Sequence, residues 1–160
     1  MKRRSVILIG ALVALAAIQG FSQESGKAAP HVILFVCEHG AAKSVIAAAH
    51  FNRLAAEKGL PYRAITRGVN PQPEISSSVA GGLAADGLDI TGWKPQKVSD
   101  ADVGKAERVI TLACSLPKKE SSRSTKVTEW NDVPEDKGYE AARKAIVDHV
   151  MELLNTLAQK

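Results

Sequence analysis

The stretch that decides the fold is VILFVCEHGAAKSVIAAA, residues 32 to 49. It opens with five apolar residues, Val32 to Val36, which are followed by Cys37 and a short polar turn. A continuous apolar run bounded by turn residues is typical of a strand buried on both faces of a parallel sheet. The segment from Ser44 to Lys58 has the pattern of a helix that ends at Gly59. The stretch therefore predicts a strand, a polar loop and a helix.

Similar patterns recur further along the chain. They predict strands at Tyr62–Thr66, Val109–Ala113 and Lys126–Trp130, a helix at Ile75–Asp86 and a long C-terminal helix. The C-terminal helix has an apolar stripe formed by Tyr139, Ala142, Ile146, Val150, Leu153 and Leu157. Alternating strands and helices predict a single α/β domain, in which helices cover both faces of a parallel sheet through right-handed crossovers.

The first 22 residues have the pattern of a secretory signal. Three basic residues, Lys2 to Arg4, precede an apolar run from Val6 to Ile18, and the small residues Gly20 and Ser22 follow. The run is shorter than the roughly 18 residues that a membrane span needs. We expect cleavage after Ser22, a linker over residues 23–30 and a folded domain over residues 31–160. The product would be secreted or periplasmic without a stable membrane span, whereas an uncleaved segment would act as a membrane anchor.

Charge argues against a nucleic-acid partner. Cleavage would remove three basic residues and no acid, which lowers the formal net charge from +4 to +1. A nearly neutral domain lacks the clustered positive charge with which proteins bind phosphate backbones. We therefore expect no nucleic-acid partner, and we expect a monomer without a cofactor or a metal.

The candidate site lies where the predicted strands end. Ligands of parallel α/β sheets bind beyond the carboxyl ends of the strands. Cys37 follows the first strand and Cys114 follows the third, and they are the only cysteines. A nucleotide-binding loop of the form G-x-x-x-x-G-K-[ST] would need glycines at positions 37 and 42, which are Cys37 and Ala42. The loop is therefore not expected to bind a nucleotide in that way.

The loop before the first helix suits an oxyanion. The unpaired N–H groups and the positive dipole end of a helix N-terminus bind anions, and they also stabilise a cysteine thiolate. Lys43 can neutralise a bound oxyanion, and the Ser44 hydroxyl can donate to the sulfur or cap the helix. The alternative is an inert Cys37 at a strand end, a solvated Lys43 and an ordinary N-cap at Ser44. Local chemistry alone leaves both interpretations open.

Three motifs together resemble a known family. A hydrophobic strand, C-x5-[basic]-S and a helix are similar to the C-x5-R-S signature of low-molecular-weight protein tyrosine phosphatases and the related thioredoxin-coupled arsenate reductases. GGLAADGLDITGWKPQKVSDADVGKAERVITLAC, residues 81–114, resembles the family's helix, turn and third strand. EWNDVP, residues 129–134, resembles its tryptophan and aspartate-proline segment. The resemblance implies a flavodoxin-like three-layer sandwich with a four-stranded parallel sheet in the order 2-1-3-4.

The resemblance also implies roles for individual residues. Cys37 would be the nucleophile, Ser44 the hydroxyl that supports its thiolate, and Asp132 the general acid. The phosphate cradle would consist of Glu38, His39, Gly40, Ala41, Ala42 and Lys43. His39 is either an idle surface residue or a participant in proton transfer.

The chain departs from the family pattern at three places. Lys43 replaces the signature arginine, so that a planar bidentate fork becomes a point charge. Gly40 stands where the family commonly has an asparagine that braces the loop. Val133 separates Asp132 from Pro134, which the family usually joins.

Three functions follow as hypotheses. The first is an exported phosphatase that hydrolyses a phosphomonoester on a protein or a small molecule, with phosphotyrosine as one candidate, through a phosphocysteine. The second is an arsenate reductase that uses Cys37 and Cys114 as a redox pair. The third is a non-catalytic module that binds phosphate or arsenate or responds to redox conditions.

Overall fold

The structure is a computed structural model that describes residues 29–118, 127–134 and 137–159. Three predicted features lie wholly or partly outside the described residues. They are the signal over residues 1–22, the linker as far as residue 28 and the start of the last strand at Lys126. The described elements are β1 His31–Cys37, α1 Lys43–Glu57, β2 Tyr62–Gly68, α2 Ser77–Ala85, α3 Asp100–Lys105, β3 Ala106–Leu112, β4 Val127–Trp130 and α4 Gly138–Leu157. Among these residues, no helix combines the length and the apolar character that a membrane crossing requires.

The four strands form one parallel sheet in the order β2-β1-β3-β4. This confirms the predicted fold class and strand order. The register places Cys37, the last residue of β1, beside Gly68, the last residue of β2. The chain therefore leaves β1 and β2 at the same edge of the sheet, where the loop after Cys37 lies.

Strand β1 is the centre of the core. Its residues Ile33 to Val36 are fully buried, and alternate side chains point to opposite faces of the sheet. Ile33 and Phe35 pack in a cluster with α1, α2 and α4, whereas Leu34 and Val36 pack in a second cluster that includes Val103 of α3. Helices cover both faces, as the uninterrupted apolar run predicts.

Helix α4 buries a slightly different stripe from the predicted one. The buried residues are Ala142, Ile146, Val150, Leu154 and Leu157. Leu154 lies one helical turn after Val150 and is fully buried, whereas Leu153 is only partly buried at the margin of the core. The predicted stripe therefore lacked Leu154, whereas Leu153 packs against the core at the margin of the stripe.

Helix α3 was not predicted from the sequence. It has six residues, of which only Val103 is buried, so that it carries no apolar period. A capping box begins it: Asp102 N–H donates to the Ser99 hydroxyl, and Ser99 N–H donates to the Asp102 carboxylate. Arg67 at the end of β2 also donates two hydrogen bonds to this carboxylate, at 3.1 and 3.0 Å. The pattern Ser-x-x-Asp was the available signal.

Candidate active site

A cavity opens at the point where β1 ends. It has a volume of about 390 Å³, and the described residues that line it are Cys37, Glu38, His39, Ala42, Lys43, Leu112 and Ala113. Cys37 is the last residue of β1 and is 5% exposed, and Lys43 is the first residue of α1. The structure thus brings the predicted nucleophile, most of the predicted cradle and the end of β3 to one place.

The loop between Cys37 and Lys43 is held from outside by residues 69–76, which we call the strap. Four strap N–H groups donate to loop carbonyls at 2.8–3.1 Å: Val69 to Cys37, Asn70 to Glu38, Gln72 to His39 and Ser76 to Ala41. Within the described part of the chain, the backbone N–H groups of residues 38–42 donate to no carbonyl. The peptide groups are therefore oriented so that their donors remain available to an oxyanion at the N-terminus of α1.

Two glycines allow the loop to lie against β2. Gly40 has φ +59°, and a Cβ on it would lie 2.8 Å from the Gly68 nitrogen. A Cβ on Gly68 would lie 2.7 Å from the Gly40 nitrogen. Positive φ is a conformation that glycine adopts freely and that asparagine tolerates better than most residues. Both the positive φ and the close approach to Gly68 therefore favour glycine at position 40.

Ser44 supports the Cys37 sulfur through a short chain of hydroxyl groups. Its Oγ lies 3.1 Å from Cys37 Sγ, and it accepts a hydrogen bond of 2.7 Å from Thr66 Oγ1. Because Thr66 donates to Ser44, the Ser44 hydroxyl keeps its own proton, and the Cys37 sulfur is close enough to accept it. Helix α1 begins after Ala42 without a side-chain cap, so Ser44 is not its N-cap. Only the register of β1 against β2 brings Thr66 here, so its contact with Ser44 could not be predicted from the local sequence.

Cys114 lies at the same edge of the sheet, two residues after β3. Its Sγ donates a weak hydrogen bond of 3.5 Å to the carbonyl of Val36, the residue before Cys37. Burial and then the nearby Cys37 raise the pKa of the Cys114 thiol to about 11. Both cysteines are free thiols in the structure. Cys114 is thus close to the candidate nucleophile but is held as a neutral thiol at physiological pH.

Alkylation should reveal this raised pKa. In the folded Cys37→Ser variant, which lacks the nearby sulfur but keeps the burial of Cys114, we expect the rate at which iodoacetamide labels Cys114 to rise with a midpoint above the ordinary pKa of 9.0. The fold favours the neutral thiol, so its contribution to stability is complete below about pH 9 and is lost as the pH rises through about 11. Mass spectrometry of the labelled protein gives the rates, and the same protein in urea is the control. A folded-state midpoint at or below 9.0 would contradict the assignment.

Asp132 faces a different part of the molecule. Its carboxylate lies 2.8 and 3.0 Å from Nε2 of His149 on α4, and this hydrogen bond holds the pKa of Asp132 below its usual value. The His149 ring stacks on Trp130 with 4.8 Å between the ring centroids. Val133 is 3% exposed and lies in the core, so the preceding residue is turned outward. Asp132 does not line the cavity at Cys37, and its general-acid role stays a prediction that requires the bond to His149 to open.

Metal ligands are not grouped in the described ranges: no three His, Cys, Asp or Glu side chains lie together as a metal site would need. The nucleophilic and ionisable side chains among the described residues that line the cavity are Cys37, Glu38, His39 and Lys43.

Known proteins share this sequence pattern and fold. The family model described as low molecular weight phosphotyrosine protein phosphatase matches residues 32–160. The solved structure of YfkJ from Bacillus subtilis is similar, with a TM-score of 0.71 and 20% identity over 84% of this chain and 98% of that chain. A thioredoxin-dependent arsenate reductase from Corynebacterium glutamicum has a TM-score of 0.67 and 24% identity over 82% and 64%. An arsenate reductase from Archaeoglobus fulgidus has a TM-score of 0.61 and 28% identity over 77% and 98%. No curated protein gives a significant sequence match.

Proposed function

The chain belongs to the low-molecular-weight phosphotyrosine protein phosphatase family, whose members are cysteine-dependent phosphatases, and from this premise we propose that it hydrolyses a phosphomonoester through a phosphocysteine at Cys37. One observation carries the proposal. The Cys37 sulfur, hydrogen-bonded to Ser44, lies at the mouth of a loop whose backbone donors are not used by described carbonyls. A phosphoryl group whose oxygens are bound by the loop would therefore have its phosphorus atom next to the nucleophilic sulfur.

The chemistry divides into two displacements. The Cys37 thiolate attacks phosphorus, so that an S–P bond forms while the bond to the leaving oxygen breaks. The N–H groups of residues 38–42 and the Lys43 ammonium stabilise the charge on the non-bridging oxygens. Water then attacks the phosphocysteine, the S–P bond breaks, and phosphate leaves with the thiolate restored. The Ser44 hydroxyl, whose Oγ lies 3.1 Å from Sγ, can donate a hydrogen bond to the sulfur at the start and at the end of the cycle.

The leaving oxygen of the phosphomonoester needs a proton donor. We propose Asp132 for this role only in a conformation in which its bond to His149 is open. Phenyl phosphate has a poor leaving group and tests the role directly. A loss of about 100-fold or more in its turnover on Asp132→Asn would support it, and unchanged turnover would remove Asp132 from the mechanism.

Lys43→Arg should raise kcat/KM for p-nitrophenyl phosphate by about tenfold, since a guanidinium donates two parallel hydrogen bonds to phosphate oxygens where an ammonium acts as a point charge. Steady-state kinetics on the purified protein checks this, with Lys43→Gln, which should lose activity, as the control for the need for a cation. A Lys43→Arg variant that is no faster than the native protein would mean that the cradle is shaped around lysine for another ligand.

Arsenate reduction is a second candidate function, which the position of Cys114 favours. The Cys37 thiolate would attack arsenate, so that an S–As bond forms while an As–O bond breaks and water leaves. The Cys114 thiolate would then attack the Cys37 sulfur, so that an S–S bond forms while the S–As bond breaks, and its electron pair stays on arsenic, which leaves as arsenite. An external dithiol would reduce the disulfide. The raised pKa of Cys114 disfavours this step, because little thiolate is present near neutral pH.

Two assays separate the candidate functions. The protein is given p-nitrophenyl phosphate in one assay and arsenate with a dithiol reductant in the other. Phosphate release that survives Cys114→Ser supports the phosphatase, whereas arsenate reduction that needs both cysteines supports the reductase. A protein that is inactive in both assays but is stabilised by phosphate would be a non-catalytic oxyanion-binding module.

We also propose that the domain is exported, because of the basic and apolar pattern of residues 1–22. N-terminal sequencing of the protein from an expressing cell tests this, since cleavage after Ser22 would leave Gln23 as the first residue.

A further inference from the structure

The oxyanion loop carries an acidic residue of its own. Glu38 directly follows Cys37, lines the same cavity and is exposed. A carboxylate so close to an anion site repels an incoming phosphate, and it can itself occupy the backbone donors or pair with Lys43. Because Glu38 and the anion site belong to the same loop, the effective concentration of the Glu38 carboxylate at that site is high. A loop of this composition binds an external oxyanion well only if the Glu38 carboxylate is held aside.

Asn70 of the strap makes the contact that can do this. Its Nδ2 donates to Glu38 Oε1 at 2.6 Å, and its backbone N–H donates to the Glu38 carbonyl at 2.8 Å. Its own carbonyl oxygen lies 3.2 Å from Nδ1 of His39. One residue outside the loop thus contacts both residues that follow the nucleophile.

The side chain and the backbone of Asn70 have separable roles. Its backbone contacts to Glu38 and His39 are open to any residue at position 70, and Gln72 and Ser76 hold the loop independently. Only the side-chain amide contacts the charged group of Glu38. A substitution at position 70 that keeps the backbone path therefore changes the position of one carboxylate and leaves the cradle in place.

We propose that Asn70 is a positioning residue, whose side-chain amide holds the Glu38 carboxylate against the strap and so keeps the cradle open to a phosphoryl group. This inference rests on the proposed function in so far as the same cradle binds the substrate. It concerns phosphate binding, however, and can be tested without turnover.

The test measures the affinity of inorganic phosphate for the full folded chain by titration calorimetry at constant ionic strength. Asn70→Ala should raise the phosphate Kd by about threefold to tenfold. Asn70→Asp should raise it further, because two carboxylates then repel each other beside the site. In the Glu38→Gln background, Asn70→Ala should change the Kd by less than about twofold, because the competing charge is gone.

Two further variants make the test specific. Asn131→Ala is the matched control, because Asn131 Nδ2 also donates to an exposed glutamate, Glu129, at 3.1 Å but lies outside the cavity lining. It should leave the phosphate Kd unchanged. The double variant Glu38→Gln with Asn70→Asp exchanges the two groups. The amide at position 38 then donates a hydrogen bond to the carboxylate at position 70, so that the negative charge lies on the strap. It should bind phosphate more tightly than Asn70→Asp alone.

The outcomes distinguish this inference from the proposed function. The inference is overturned if Asn70→Ala binds phosphate like the native protein, or if this substitution weakens phosphate binding equally in the Glu38→Gln background. In either case, native turnover of p-nitrophenyl phosphate would still support a phosphatase. If native protein binds phosphate with the predicted dependence on Asn70 but has no turnover, the inference stands and the proposed hydrolysis fails. Native protein that does not bind phosphate overturns the inference.

Discussion

Cys37→Ser should lower kcat for p-nitrophenyl phosphate by about 10⁴-fold or more, because a serine hydroxyl at this site lacks both the nucleophilicity and the acidity of the thiol. Cys37 is almost fully buried at the end of β1, and serine differs from it by one atom, so the fold and the loop should remain. The variant should therefore still bind inorganic phosphate, and calorimetry checks that the loss is one of chemistry.

Cys114→Ser is the matched control for this prediction. Its sulfur lies near the same strand ends but has no role in the two displacements at phosphorus. We expect its kcat for p-nitrophenyl phosphate to stay within about threefold of the native value. The nucleophile would not be Cys37 if the Cys37→Ser variant kept a tenth of the native turnover. Loss of turnover in the Cys114→Ser variant would likewise contradict the assignment.

Gly68→Ala should destabilise the protein strongly for the addition of a single methyl group. The added Cβ would lie 2.7 Å from the Gly40 nitrogen and 2.8 Å from the His39 carbonyl carbon. Both atoms belong to the backbone and cannot rotate away, so β2 and the loop must separate. We expect the free energy of unfolding to fall by about 1–3 kcal/mol and phosphate binding to weaken strongly.

Gly81→Ala is the control for the Gly68 prediction. Gly81 lies inside α2, where an added Cβ meets no atom within 4 Å. Alanine there should raise the free energy of unfolding by about 0.5–1 kcal/mol, since a helix interior favours alanine over glycine. Urea denaturation of the two variants gives the comparison. A Gly68→Ala protein as stable as the native one, with normal phosphate affinity, would mean that the loop is not held against β2 in the way described.

The parts of the fold that sequence predicts best are those with a local signal. The run from Val32 to Val36 is long, apolar and buried on both faces, so its pattern identifies a central strand without reference to the rest of the chain. Helix α3 has only one buried residue, and no periodic pattern can arise in six residues. The strand order followed from the family resemblance, because apolar patterns do not specify which strands are neighbours.

The site divides in the same way. Cys37 and Ser44 are seven residues apart on one strand–loop–helix unit, so their contact could be expected from the sequence. Thr66, Asn70 and His149 reach their partners only through sheet register, loop path and helix packing, which a single sequence does not reveal. The outward orientation of Asp132 follows from the burial of its neighbour Val133 in the core, and that burial depends on how the core packs.

The most direct test of the central claim is the identity of the covalent intermediate. Native protein is mixed with p-nitrophenyl phosphate, quenched with acid within milliseconds, digested and analysed by peptide mass spectrometry. We predict a phosphoryl group on the peptide that contains Cys37, attached to its sulfur, and none on the peptide that contains Cys114. A phosphoryl group on any other residue, or p-nitrophenol release that persists undiminished in Cys37→Ser, would contradict the account.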